Sequence, residues 1–313
     1  MVKRRQVELL GGGFYEPILP IIPEKDAIGQ IALMSRYLKE KFGVTPKGMW
    51  LAERVWEPHL PSLLSKAGIE YTLTDDTHFA FSGLRPEEMV GYYITENAGA
   101  TLKVFPIDKT LRYLIPFKQP EETIQYLRSV SIEEGVRAVS MADDGEKFGV
   151  WPGTHDWVYN QGYLERLFTA LEQNSDWIHM RTYSEYIAEN PPTGRIYLPT
   201  ASYYEMMEWS LPSRSAVQYG DMVKDLSGKN LYEQYKTFLR GGFWRNFLVK
   251  YKESHLMRSK MCWVSDMVEA ARKAASEKSR GVLKAAEKDL WRGQCNCPYW
   301  HGLFGGVYLN YLR

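Results

Sequence analysis

Short apolar runs alternate with amphipathic stretches through the first two thirds of this chain. Val7–Gly11 (VELLG) reads as a strand closed by glycines. Ile28, Ile31, Met34 and Leu38 recur at helical spacing within Asp26–Phe42, and Gly43 is placed to stop that helix. Lys47–Leu51 (KGMWL) predicts a second strand, and Leu60, Leu63, Leu64 and Ala67 form an apolar helix face ended by Gly68. Tyr71–Thr74 (YTLT) predicts a third strand and Leu102–Ile107 an extended segment. Glu121–Val130 reads as helix, Arg137–Met141 (RAVSM) as a buried strand, Trp157–Leu171 as helix and Trp177–Met180 (WIHM) as a last strand.

Strand then helix, repeated with short connections, is the rhythm of parallel β/α architecture. Acidic residues gather just after the predicted strands: Glu53 after KGMWL, Asp75 and Asp76 after YTLT, Asp143 and Asp144 after RAVSM. In a β/α barrel those positions surround one mouth. The rhythm changes at Pro191. Residues Pro191–Pro212 form an aromatic, proline-punctuated segment that reads as a long functional loop. Helical segments are expected around Leu231–Leu239, Lys260–Glu277 and Gly281–Arg292, broken by a glycine-rich aromatic turn at Gln294–Gly306. The expected division is a barrel over residues 1–212 and a helical bundle closing the cleft over 213–313.

At 313 residues the chain is long enough for one large domain and a smaller one. A net charge of +1 gives no reason to expect nucleic acid or an anionic membrane as partner. No apolar run is long enough to span a bilayer, and the basic start Met1–Gln6 leads into an apolar stretch too short for a signal peptide, so a cytoplasmic location is expected. Three cysteines do not make a disulfide framework. Cys295-Asn296-Cys297, with His301 nearby, reads either as half a metal site or as small thiols in a turn, and no second ligand pair supports the former. The 10 Trp and 21 Tyr change the picture more, because amphipathic rings can stack on sugar faces as well as fill a core.

Cleaving an acetal with retention of configuration takes two carboxyl groups about 5–5.5 Å apart, one a nucleophile and one an acid/base. Glu53, boxed by Trp50, Leu51, Val55 and Trp56, reads either as that nucleophile or as a partner in an ion pair with Arg54. Asp144 shares Met141–Gly149 with Asp143 and Glu146, and the crowding of like charges would raise a carboxyl's pKa. The same loop could instead bind a cation or cap a helix.

Trp50-Leu-Ala-Glu-Arg-Val-Trp56, Asp143-Asp-Gly-Glu-Lys-Phe-Gly-Val-Trp-Pro-Gly153, Tyr204-Glu-Met-Met-Glu-Trp-Ser-Leu-Pro212 and Gln294–Gly306 resemble the 4-α-glucanotransferase and α-amylase branch of glycoside hydrolase family 57. The resemblance implies an α/β fold, a distorted (β/α)7 barrel followed by a helical bundle. It puts the nucleophile on Glu53 and the acid/base on Asp144, with substrate contacts on Glu8, Glu146, Trp151 and Trp300. It implies an α-1,4-glucan as partner, transfer between glucan chains, and no metal or organic cofactor; a homodimer is left open. The chain departs from the pattern in three places. The family's opening His-Gln-Pro strand is missing, so the barrel is expected to be N-terminally truncated. Cys297 stands where an aspartate is expected. The family's C-terminal β-domain does not follow Arg313.

Hydrolysis by an α-amylase of the same family is the nearest rival, since it shares the glycosyl-enzyme intermediate. A metal-dependent deacetylase using Asp75-Asp76-Thr77-His78 is a second, weakened by the lack of a His-x-x-x-His pair. A catalytically impaired glucan-binding fragment is the third.

Overall fold

The computed structural model describes residues 1–132 and 136–305. Its strands are β1 (Gly48–Met49), β2 (Tyr71–Asp75), β3 (Tyr93–Asn97), β4 (Ala100–Ile107) and β5 (Gly194–Arg195). Around them lie α1 (Glu24–Phe42), α2 (Leu60–Lys66), α3 (Asp76–Phe81), α4 (Lys109–Leu114), α5 (Pro120–Val130), α6 (Tyr163–Gln173) and α7 (Tyr183–Glu189). Then come α8 (Tyr204–Ser210), α9 (Ser213–Gly228), α10 (Tyr232–Tyr235), α11 (Phe247–Lys250), α12 (Lys252–Lys273), α13 (Arg280–Arg292) and α14 (Cys297–Trp300).

The strands form one sheet in the order β1-β2-β4-β3-β5. β1, β2 and β4 run parallel, and β3 runs against β4. Isolated parallel bridges join Gly11 to Met49 and Ser140 to Ile107, which extends the parallel part at both edges. This open, mixed sheet accords with the distorted, incomplete barrel expected from the sequence. β2 is buried at every position, as a strand covered on both faces should be.

Sequence chemistry explains the main boundaries. α1 carries Glu24 and Asp26 in its first turn and Lys39 and Lys41 in its last, each opposing the helix dipole, and Gly43 caps it at φ 76°. Thr182 caps α7 by accepting from the Glu185 N–H. Gly162, at φ 68°, splits the predicted Trp157–Leu171 helix into a π-turn over Asp156–Asn160 and α6. Trp177–Met180 is not a strand: its indole N–H donates to Asn174 and its ring carries the Arg128 guanidinium at 4.4 Å. Val7–Gly11 and Arg137–Met141 contribute single bridges rather than strands, and the predicted loop after Pro191 holds β5 and α8. Gly306, the last residue of the predicted glycine-rich turn, lies outside the described residues.

The larger core runs through the barrel and the helices after it, joining Ile31, Met49 and Trp56 to Met206, Phe247 and Trp300. A buried polar lock crosses the same junction. Gln30 donates to Gln294 at 2.8 Å, and Gln294 donates to Asp26 at 2.7 Å. Among the described residues no helix is long and apolar enough to cross a membrane.

Candidate active site

Glu53 sits on a 3-10 turn, Ala52–Arg54, that leaves β1. Glu53 and Arg54 both take left-handed backbone angles, φ 51° and 48°. Side chains other than glycine pay roughly 1–3 kcal/mol each for such conformations, which persist where surrounding structure enforces them. Here the enforcement is visible: the Ser202 hydroxyl donates to the Glu53 carbonyl at 2.5 Å. Tyr203 donates its hydroxyl to the Glu53 carboxylate at 2.9 Å. The fully buried Arg54 lays its guanidinium over the Tyr203 ring, 4.3 Å from the centroid, and over Trp50 at 5.4 Å. Burial raises the Glu53 pKa; Arg54 and the Tyr203 hydroxyl work against that, and Asp144 adds to it.

The second acidic loop divides its labour. Asp143, 1% exposed, binds Arg112 at 3.1 Å and Lys147 at 2.5 Å and gives an oxygen to the Asp144 N–H. Asp144 is 42% exposed, with an oxygen 3.6 Å from the Arg54 guanidinium. Tyr203 thus holds Glu53, and the Arg54 stacked on that ring reaches Asp144. The expectation that Asp143 crowds Asp144 with negative charge needs correction, because Arg112 and Lys147 neutralise Asp143.

Asp75 is bound on the same network. Its carboxylate accepts from the Thr77 N–H and hydroxyl at the start of α3 and pairs with Arg112 at 3.2 Å. Burial alone would raise its pKa, but Arg54, Thr77, His78 and Arg112 outweigh that and hold it low. His78 points Nδ1 at the Asp75 carbonyl, 2.9 Å away. The Asp75–His78 run therefore builds a helix start. Among the described residues no group of three or more His, Cys, Asp or Glu side chains could hold a metal ion.

The remaining predicted residues separate. Glu146 is exposed on the cleft side, close enough to act electrostatically on Glu16. Trp151 is 44% exposed, tilted against Phe117 with centroids 6.0 Å apart, and the Lys147 ammonium lies 5.4 Å from its ring. Glu8 does not join this group: Tyr71, the first residue of β2, donates to it at 2.6 Å, and Ser184 donates through its N–H at 3.0 Å and through its hydroxyl. Trp300 is buried, stacked on Trp209 at 6.1 Å, with its N–H on Asn296. Trp209 packs edge-on against Tyr203, so Trp300 backs the site from behind that ring.

Sequence reading missed Tyr203 and Glu16. Tyr203 lay one residue outside a recognised run. Glu16 follows Gly11-Gly12-Gly13-Phe14-Tyr15, where nothing but the segment's glycine content hinted at a special backbone. It too is left-handed, at φ 53°, and its carbonyl accepts from the Asn296 N–H and side-chain amide. Glu16 keeps contact with solvent, yet partial burial of its carboxyl, then Glu53, Cys295, Asp144 and Glu146, push its pKa up to about 7. Hydrogen bonding from Cys297, then from backbone N–H groups, lowers the Cys295 thiol to about 6, while that same bond and burial push Cys297 up. Glu16 and Glu53 also act electrostatically on Cys297.

A model of glycosyl hydrolase family 57 matches residues 1–199, and one of the alpha-amylase/4-alpha-glucanotransferase middle domain matches 242–313. The chain belongs to glycosyl hydrolase family 57. Its whole length is 47% identical to alpha-amylase 1 of Dictyoglomus thermophilum and 46% identical to a 4-alpha-glucanotransferase of Thermococcus litoralis, covering 45% of each. The chain therefore spans about half the length of these family 57 relatives. The crystal structure of the Thermococcus litoralis 4-alpha-glucanotransferase superposes with a TM-score of 0.91 at 45% identity, over 99% of this chain and 47% of that one. A family 57-type branching enzyme from Pyrococcus horikoshii shares the fold, with a TM-score of 0.68 at 16% identity, over 98% of this chain and 62% of that one.

Proposed function

We propose that this chain carries the catalytic site of a retaining α-1,4-glucan-active enzyme that transfers glucan segments between chains. In this reading the Glu53 carboxylate attacks the anomeric carbon of a bound α-1,4-glucan while Asp144 protonates the departing glycosidic oxygen. The glucan segment is then held on Glu53 as a covalent ester. Asp144, now ionised, takes the proton from an incoming sugar hydroxyl, which displaces Glu53 and restores both carboxyls. Trp151 offers a ring for a pyranose at the rim, Glu146 a hydroxyl partner, and Trp300 the wall behind Tyr203. Glu8 serves by holding Tyr71 and Ser184. We place the division between barrel and helical bundle near residue 212, where Pro212 precedes α9. The steps above use only side chains of this chain and the two sugar substrates.

The observation that carries this reading is the strained Glu53 turn. A part-buried carboxylate with a raised pKa is clamped by Tyr203, and the Arg54 stacked on that tyrosine reaches an exposed aspartate. The names of the relatives support a glucan as substrate. Incubation with maltotriose tests it. Longer oligosaccharides appearing as a ladder indicate transfer; glucose and maltose alone indicate the α-amylase reaction. Glu53→Gln and Asp144→Asn should each lower turnover by ~10³-fold or more, about 4 kcal/mol of barrier, with unchanged melting. Near-normal rates in either variant would discard the assignment.

A further inference from the structure

A second concave surface is lined by neither Glu53 nor Asp144. It is a cavity of about 440 Å³ whose lining includes Trp56, Phe81, Glu96, Asn97, Tyr197 and Pro199. Strand register places it. Asn97 pairs with Ala100 at the β3–β4 turn, whereas Asp75 pairs with Ile107 at the far end of the eight-residue β4. At ~3.3 Å per residue those ends are more than 20 Å apart. Glu96 and Asn97 thus line the part of the cavity at the end of the sheet opposite Asp75, while Trp56, three positions after Glu53, lines its near side.

Its lining suits a sugar. Tyr197 is 70% exposed, an unusual position for so large a ring. The ring is not loose: its hydroxyl donates to Glu96 at 3.1 Å, and Glu96 also accepts from the Gly99 N–H at 2.6 Å. Ser82 donates to the Tyr197 carbonyl at 3.1 Å. Phe81 is steadied as well, since Arg240 stacks 4.7 Å from its centroid and donates to its carbonyl. Rings already held in place lose little freedom on binding. Beside them stand the carboxylate of Glu96 and the amide of Asn97, planar groups able to grip vicinal hydroxyls. The volume falls within the range of small-molecule sites, ~300–1,000 Å³.

We propose that this cavity is an accessory binding site for an α-1,4-glucan segment, separate from the catalytic cleft, with Tyr197 as its stacking platform. It anchors a long chain while another part of that chain, or a neighbour, reaches Glu53. The proposal rests on the glucan reading above, and the following experiment separates the two. Migration in native gels containing amylopectin reports binding to polymer, and maltotriose turnover reports the catalytic cleft.

Tyr197→Ala should weaken retardation by amylopectin by about tenfold while maltotriose turnover stays within about twofold of wild type. Asn97→Ala should act in the same direction with a smaller loss. Tyr197 is exposed, so an unchanged melting temperature is expected and is measured alongside. Retardation equal to wild type in Tyr197→Ala overturns the accessory site while leaving the catalytic reading standing. So does a maltotriose rate that falls in step with retardation, because the ring would then belong to the catalytic cleft. A wild-type chain that neither binds amylopectin nor turns over maltotriose sinks both readings.

Discussion

Two sets of carboxylates lie side by side in this molecule and are treated oppositely. Asp75 and Asp143 are almost wholly buried, and Arg112 bridges them, with Lys147 on the outer side of Asp143. Every negative charge there has a cation within hydrogen-bond reach. Glu53 and Asp144 have Arg54 as their close cation, and the side chains that act on Glu16 are Glu53, Cys295, Asp144 and Glu146. The first set is a strut, because buried ions are tolerated only when fully paired. The second is left short of positive charge, and burial, then neighbouring carboxylates, raises the pKa of Glu53 and of Glu16 toward a range useful for proton transfer.

The largest effect on stability should come from removing the strut's cation. Arg112→Met takes the ion-pair partner from the buried Asp75 and leaves Asp143 with Lys147 alone, and should cost about 3–5 kcal/mol in urea unfolding at pH 7. Asp75 is held below its ordinary 3.8, so its share of stability is present above that value and fades as pH falls through the lower folded one. The difference between Arg112→Met and wild type should therefore narrow in strong acid. A constant difference from pH 7 down to pH 2 would show that the pairing is not the source.

Next in size is Tyr203→Phe. The lost hydroxyl was bonded to a carboxylate, an interaction of about 1.5–3 kcal/mol, so kcat/KM on maltotriose should fall ~10- to 100-fold. That bond lowers the Glu53 pKa, so its removal should move the acid limb of the rate profile to higher pH. A profile that does not shift would mean the tyrosine acts only by packing.

The smallest effect belongs to Glu16→Gln. A carboxyl whose pKa rises from 4.5 to about 7 binds an extra proton in the folded state, so it lowers stability progressively across that window. Glutamine removes that penalty. The variant should match wild type below pH 4.5 and exceed it above pH 7, by on the order of 1 kcal/mol once solvent screening at this open position is allowed for. Melting temperatures that stay parallel across the range would exclude the coupling.

The sequence told much about where chain segments go and less about how side chains are shared. Tyr71–Thr74 and Leu102–Ile107 were legible as strands because β-branched and aromatic residues dominate both. β3 escaped because Tyr93–Asn97 is short and half-buried, with a polar threonine at one of its inward positions. Trp177–Met180 looked like a strand by composition, yet its backbone follows a turn and its ring is taken by Arg128. At the site, Glu53 and Asp144 could be found because they follow predicted strands within tryptophan-rich runs. Glu16 could not, since its role depends on Asn296 holding it from 280 positions away. Whether Trp300 faces substrate or core was equally hidden, because its stacking on Trp209 is set by the meeting of two distant helices.

That meeting also has a temporal side. Asp26 and Gln30 on α1 find their buried partner only at Gln294, and the Glu16 carbonyl finds its partner only at Asn296. On the ribosome, the first segment must wait with those polar groups wet until almost three hundred residues have been made. The sheet around β2 can assemble early, but the loop beside Glu53 is fastened only once the segment around Gln294 and Asn296 has emerged.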